Sequence, residues 1–316
     1  MAISKRHIQI GVAACIALLA TGWLALSRYA AGVAQDEVDG FLVRNNLQGV
    51  VTYDGISATP FGTVTISDMM LGSPQGGRIK VRELVISGVQ HENGRLVAVE
   101  AKARKADIPL LELRRNKGIS DTTLLELGYT RLLGDCSMMF HYDSKRRTLD
   151  VSLGGKFDGL GEMQVQLGLG GVDPTLVGMS HEFVKFVDNP LGLLALIGTL
   201  QSVTLSRNTL FLDSGPVHKR AAQITDASTP SEQRAGTPVE WPLKEKTLVM
   251  AGMRPSQAKE LYIAGDKWAK EGGVLKVETH LDAPLPLLRQ ASGGPKFVFE
   301  DAASFLVATK STVEFR

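Results

Sequence analysis

The chain has 316 residues and a mass of 34.0 kDa, enough for one large domain or two smaller ones. Hydrophobic residues make up 44% of it and charged residues 22%, a composition that excludes a wholly disordered chain. Two cysteines exclude a disulfide scaffold or a cysteine-rich metal module, and a net charge of only +2 argues against nucleic acid as a partner.

A transmembrane anchor is predicted at residues 8–27, which include no charged residue. As a helix, this run would span about 30 Å, the thickness of a bilayer's hydrocarbon core. Lys5 and Arg6 account for the whole net charge, so residues 1–7 are expected to form a cytoplasmic tail. The protein is therefore expected in the bacterial inner membrane as a single-pass protein, with most of the chain in the periplasm. A signal peptide cleaved near residues 32–34 is the alternative, although its apolar core would be unusually long.

The exported part is predicted to be an α+β fold, with helices packed on one face of antiparallel β-sheet meanders. Residues 28–47 have apolar side chains at helical spacing and are expected to form a helical extension of the anchor. Residues 48–119 form a first β-meander region, because short alternating runs are separated by Gly or Pro turns. The strands predicted in this region are 49–53, 63–67, 78–86 and 95–101.

Residues 120–316 are predicted to form a second region, of α+β type, assigned by the same two periodicities. The helices predicted from residue 107 onward are 107–117, 121–133, 216–226 and 255–271, with two more within 176–200. The predicted strands are 135–142, 148–153, 162–169 and 274–281, with a hairpin formed by 202–206 and 210–213. Residues 227–242 are rich in Ser, Thr and Pro and are expected to form a loop.

A pattern of short motifs runs through residues 124–173. The motifs are Leu127-Gly128-Tyr129, Gly134-Asp135, Tyr142-Asp143, Thr148-Leu149 and Leu160-Gly161. Through them, and through the order of elements that follows, residues 120–290 resemble the YdgA-like and AsmA-like families of membrane-anchored bacterial periplasmic proteins. The resemblance implies a helix-and-antiparallel-sheet domain beside the inner membrane, with a role in envelope biogenesis or lipid handling. It implies no catalytic residues, and this chain is shorter than typical AsmA-like members.

The sequence shows no motif for catalysis, cofactor binding or metal binding. The six histidines form no pair at i, i+4 spacing and no HExxH motif. His181, Glu182 and Asp188 have metal-binding side chains, but a solvated helix face is the simpler interpretation. Ser180 lacks the GxSxG elbow of a hydrolase nucleophile. Cys136, the lone cysteine of the predicted exported part, is interpreted as a buried, inert thiol rather than a reactive one.

A basic cluster in residues 102–117 is the one candidate binding site. This segment has six basic residues against Asp107 and Glu112, a local net charge of +4. The basic residues are Lys102, Arg104, Lys105, Arg114, Arg115 and Lys117. Near an anionic membrane, each such residue contributes about 1 kcal/mol of attraction to lipid headgroups. The alternative is an edge strand protected by charge, followed by a solvated helix face.

Together these features predict a non-enzymatic protein that is anchored in the inner membrane. Its expected role is envelope biogenesis or the handling of lipid or another apolar ligand, with no cofactor. The alternative function is a structural or assembly subunit of an envelope-spanning complex, such as a secretion, pilus or motor apparatus. A periplasmic hydrolase is a weaker third hypothesis, because no motif supports it.

Overall fold

The structure is a computed structural model that describes residues 26–44, 46–72, 78–111, 123–174, 176, 199–228, 241–291, 294–299 and 301–316. The predicted cytoplasmic tail and nearly all of the predicted anchor, residues 1–25, lie outside the described residues. So do the two helices predicted within 176–200, apart from their first and last few residues, and the interior of the predicted 227–242 loop. Among the helices that are described, none is both long and apolar enough to cross a membrane.

In the described part of the chain, twelve antiparallel strands form one sheet, and a separate two-stranded hairpin accompanies it. The twelve strands are β1 (Val51–Thr52), β2 (Gly55–Ala58), β3 (Val64–Leu71), β4 (Ile79–Glu92), β5 (Arg95–Ile108), β6 (Leu132–Asp143), β7 (Thr148–Phe157), β8 (Gly161–Gly170), β9 (Thr204–Asp213), β10 (Val274–Glu278), β11 (Leu285–Pro286) and β14 (Thr312–Phe315). The hairpin pairs β12 (Leu288–Ala291) with β13 (Gly294–Phe297). The main sheet has the order β1, β3, β4, β5, β6, β7, β8, β9, β10, β14, with β2 beside β3 and β11 beside β9.

Helices lie before the sheet in the chain and between its later strands. They are α1 (26–44), α2 (Thr123–Glu126), α3 (Gly215–Ser228), α4 (Glu245–Met250), α5 (Pro255–Glu271) and α6 (Ala302–Ala308). Pro255 occupies the first turn of α5, where its missing N–H costs nothing, and Gly272 ends the helix with a φ of 77°. Asp301 begins α6 by accepting a hydrogen bond from the Ser304 backbone N–H.

One face of the sheet is apolar across almost its full width. A single row of directly opposed residues crosses ten strands on this face and contains only apolar residues and one glycine. The row is Ile56, Ile66, Leu84, Ala103, Cys136, Gly155, Met163, Leu212, Leu275 and Phe315. We call this the apolar face, and the opposite one the polar face.

The buried cores lie on the apolar face, in three clusters. The first is centred on Ile66 and Val81, against which Val38 of α1 packs. The second contains Tyr142, Val172 and Val203. The third lies at the other end of the sheet, where residues of α4, α5 and α6 pack on β9, β10 and β14. The described helices α1, α4, α5 and α6 thus contribute to cores on the same side of the sheet.

The α+β class and the antiparallel arrangement predicted from the sequence are confirmed, but several boundaries were wrong. The predicted hairpin of 202–206 and 210–213 is one continuous strand, β9. The strand predicted at 95–101 continues to Ile108, so the first residues of the predicted 107–117 helix are extended. The helix predicted over 121–133 ends at Glu126, the last residue of α2, because Gly128 adopts a left-handed φ of 73° and β6 begins at Leu132.

Candidate functional site

Three exposed apolar side chains lie together on the apolar face in the middle of the sheet. Met138 on β6 lies directly opposite Leu153 on β7, which in turn lies opposite Val165 on β8. Met163 is two residues from Val165, on the same face and diagonal to Leu153. The exposed fractions of Met138, Leu153 and Met163 are 42%, 45% and 47%. We call these three residues the apolar patch.

The apolar patch lies beside the buried cores without belonging to them. In the part of the chain that the structure describes, none of the three clusters includes Met138, Leu153 or Met163. Other residues of the same strands, such as Phe140 and Leu149, pack against the second cluster. Apolar surface left in water costs about 25 cal/mol per Å², so an exposed group of this kind on a sheet face is a candidate contact surface.

The polar face of strands β5 to β8 carries a shallow groove with a volume of about 300 Å³. Two rows of opposed residues line it, and its floor lies at Gly154. A Cβ atom at Gly154 would lie 2.7 Å from Ser137 Oγ, so the missing side chain leaves the space that the groove occupies. The first row is Lys102, Ser137, Gly154 and Gln164. The second is Asp135, Lys156 and Glu162, and Arg104 lines the groove at the irregularity in register between β5 and β6.

The structure describes only part of the basic cluster predicted from the sequence, and two of the described residues, Lys102 and Arg104, form salt bridges. Lys102 Nζ lies 2.6 Å from Glu100 Oε1, and this contact lowers the pKa of the Glu100 carboxyl below its ordinary value. Arg104 forms a salt bridge of 3.3 Å with Glu83 on β4. The backbone N–H of Lys105 donates to Asp135 Oδ1 at 2.8 Å.

The local net charge of +4 therefore overstates the positive potential at this place. Glu83 and Glu100 lie outside the segment, and their carboxylates pair with Arg104 and Lys102. Arg131, which pairs with Asp107, restores only one of these two positive charges. Arg114, Arg115 and Lys117 lie outside the described residues. The alternative of a charge-protected edge strand is wrong, because β5 is paired on both sides, with β4 and β6. Contact of these residues with anionic headgroups stays a prediction.

The motif Leu127-Gly128-Tyr129 forms a junction between distant parts of the chain. The Tyr129 hydroxyl donates to the Gly159 carbonyl oxygen at 2.5 Å. Arg220 Nε of α3 donates to the Leu127 carbonyl at 2.8 Å, and its Nη2 donates to the Gly128 carbonyl at 3.1 Å. The guanidinium also lies 4.3 Å from the centre of the Tyr129 ring, and burial raises the pKa of that tyrosine. These residues have a structural role.

Tyr142 of the motif Tyr142-Asp143 also has a structural role. It is 4% exposed, and its hydroxyl donates to the Val172 carbonyl at 3.0 Å. Burial is the main cause that raises its pKa above the ordinary value for tyrosine. Tyr129 and Tyr142, two residues of the sequence motifs, therefore help to hold the fold together.

Neither metal binding nor thiol chemistry gains support from the described residues. Among them, no group of three or more His, Cys, Asp or Glu side chains is close enough to hold a metal ion. His181, Glu182, Asp188 and Ser180 lie outside the described residues. Cys136 is a free, partly buried thiol, and burial together with the nearby Asp135 carboxylate raises its pKa. A raised pKa disfavours the reactive thiolate. The thiol is only partly buried where the sequence predicted a buried one, and its inertness stays a prediction.

Sequence reasoning did not find the apolar patch or the groove as units. The alternation in residues 162–169 placed Met163 on an apolar face, but nothing local to Met138 or Leu153 showed that they meet. Lys156 and Glu162 line the groove because the register between β7 and β8 places them opposite each other, which the sequence did not show.

Comparison with known proteins assigns this chain to no family. No family model matches it, and no curated protein matches it.

Proposed function

We propose that this protein is a non-enzymatic, inner-membrane-anchored periplasmic protein that serves envelope biogenesis by holding the apolar part of a lipid. The observation that carries the proposal is the apolar patch, three neighbouring side chains that are nearly half exposed on the side of the sheet where the buried cores lie. An acyl chain laid over Met138, Leu153 and Met163 would remove their apolar surface from water. The thioether side chains of methionine adapt well to flexible ligands.

The contacts of helix α1 favour an arrangement in which the apolar face of the sheet lies close to a membrane. Val38 of α1 packs against the first cluster, so the helix meets the sheet on its apolar side. Toward its N-terminus α1 exposes Leu26, Tyr29 and Val33 at i, i+3 and i+7, a stripe along one face. This stripe continues the apolar run of the predicted anchor, and a tyrosine at that place suits a membrane interface.

The proposal can be tested by photocrosslinking on the full chain in nanodiscs. The probe is phosphatidylethanolamine that carries a diazirine at the end of one acyl chain, with crosslinked peptides identified by mass spectrometry. We expect crosslinks in β6, β7 and β8 at residues next to Met138, Leu153 and Met163. Crosslinks confined to residues 8–27, with none in the sheet, would contradict the proposal.

The alternative function, a structural subunit of an envelope-spanning complex, predicts a different occupant for the same surface. In that case, a stoichiometric protein partner would crosslink at Met138 or Leu153, and lipid would not. Photoactivatable side chains introduced at position 153 in the full chain, expressed in its own cell envelope, distinguish the two occupants. A lipid adduct supports the proposal, whereas a protein adduct without lipid overturns it.

A further inference from the structure

Two backbone carbonyl oxygens flank the imidazole of His218 in α3. Its Nδ1 lies 2.9 Å from the Ser214 carbonyl oxygen, and its Nε2 lies 2.8 Å from the Ala269 carbonyl oxygen of α5. A carbonyl oxygen only accepts hydrogen bonds, so each ring nitrogen must donate for both contacts to form. A neutral imidazole carries one N–H, whereas the imidazolium carries two. The protonated ring is therefore the form that satisfies this geometry.

The Ala269 carbonyl belongs to the last turn of α5, where carbonyl groups lack partners within the helix. This is also the negative end of the helix dipole, which favours a cation. The chain allows the ring to approach closely, because Gly272 has a φ of 77° and a Cβ atom there would lie 2.8 Å from His218 Cγ. His218 thus caps the end of a helix other than its own.

Further contacts join the same two segments. Ser214 is buried, and its backbone N–H donates to the Gly273 carbonyl at 2.9 Å. Trp268 Nε1 donates to the same carbonyl at 3.1 Å. We call the contact of Ser214 and His218 with Ala269, Gly272 and Gly273 the α3–α5 junction. It fixes the start of α3 to the turn between α5 and β10.

We propose that His218 makes the α3–α5 junction a protonation-sensitive latch, which tightens as the pH falls and loosens as the pH rises. When the imidazolium loses its proton, one nitrogen becomes an acceptor that faces a carbonyl oxygen, and one hydrogen bond is lost. A hydrogen bond to a charged group contributes more than a neutral one, so its loss weakens the junction measurably. The latch is independent of the proposed lipid function.

Several charged side chains on the surrounding elements contact groups other than His218. Lys270 pairs with Asp266 at 2.7 Å, Lys267 with Glu271 at 3.7 Å, and Arg316 with Glu314 at 3.0 Å. Asp213 Oδ1 accepts from the Gly215 backbone N–H at 3.0 Å. Lys219 follows His218 in α3. Among the described residues, none of these side chains forms a salt bridge with His218, so the two carbonyl oxygens are its direct polar contacts.

Hydrogen–deuterium exchange of the full chain in detergent micelles between pH 5 and pH 8 tests the latch, after correction for the intrinsic pH dependence of exchange. We expect protection of residues 270–274 to be about tenfold lower at pH 8 than at pH 5, because one of the two imidazole hydrogen bonds is lost. The His218→Gln variant should lose this dependence, and the His280→Gln variant should keep it. Imidazole ¹⁵N shifts of the wild-type chain should show both His218 nitrogens protonated at the acidic end. A neutral ring at pH 5, or the same pH dependence in His218→Gln, would overturn the proposal.

Discussion

Met138 and Met139 are adjacent in β6, have almost equal exposed fractions of 42% and 43%, and lie on opposite faces of the sheet. Met138 is opposed by Leu153 and Ala101, both apolar, whereas Met139 is opposed by Ser152 and Glu100. Because the two residues share identity, exposure and strand, they separate the effect of the face from the effect of exposed methionine. They form a matched pair for any test of the apolar patch.

Two helical glycines provide a test of close packing in the third cluster, which contains Trp241. A methyl group at Gly265 would overlap the indole ring of Trp241, whereas a methyl group at Gly32 in α1 would meet no atom within 4 Å. We expect Gly265→Ala to destabilise the protein by about 1–3 kcal/mol or more through overpacking. Gly32→Ala should be neutral or stabilise it by up to about 1 kcal/mol, since alanine favours helix. Chemical denaturation of both variants measures this, and equal effects would contradict the packing described.

The contacts of Tyr129 with Gly159 and Arg220 predict losses of stability that increase as more of the side chain is removed. Tyr129→Phe removes the hydroxyl that donates to Gly159 but keeps the ring under Arg220, so it should cost about 1 kcal/mol. Tyr129→Leu also removes the cation–π contact and should cost about 0.5–1 kcal/mol more, apart from the change in packing. A double-mutant cycle with Arg220→Ala should show coupling for Leu and little for Phe. Equal coupling in both cycles would show that the ring contact contributes nothing.

Tyr53 links α1 to the sheet, and its titration reports that contact. Its hydroxyl donates to Asp39 Oδ1 at 2.5 Å; burial, and then this hydrogen bond, raise the pKa of Tyr53 to about 12. Because the folded pKa lies above the ordinary value of 10.0, the stabilisation is complete below pH 10 and is lost as the pH rises toward 12.

Absorbance at 295 nm, compared between the wild-type chain and Tyr53→Phe, isolates this titration. Asp39→Asn should lower the pKa of Tyr53 part of the way toward 10, because burial persists while the carboxylate is lost. If Asp39→Asn leaves the titration unchanged, the contact between α1 and the loop after β1 does not form in solution.

The sequence predicted the fold class because alternation is a local signal, and strands such as β8 carry it strongly. It could not predict β9 as one strand, since Ser206, Arg207 and Asn208 in its middle have the composition of a turn. In the sheet, Arg207 lies opposite Gly168 beside an irregularity in register, and it pairs with Asp150 at 3.2 Å. The stabilising partner lies 57 residues away in the chain, which no local pattern reveals.

The candidate site could not be predicted from the sequence, for the same reason. The apolar patch joins residues of three strands, and the groove joins residues of four, so both depend on register between strands. The net charge of +4 for residues 102–117 shows that a count along the chain can also predict a feature that contacts in the sheet weaken. Counting along the chain omitted Glu83 and Glu100, which lie before the segment and pair with Arg104 and Lys102 in the sheet.

The most direct test of the proposed function is the affinity of the full chain in detergent micelles for a fluorescent C16 fatty acid. Three forms are compared: wild type, Met138→Lys and Met139→Lys. We expect Met138→Lys to weaken binding about tenfold or more, because an ammonium replaces apolar contact surface, and Met139→Lys to bind as the wild type does. Circular dichroism confirms that both variants fold. Equal affinities for the two variants, or no saturable binding by the wild type, would contradict the account.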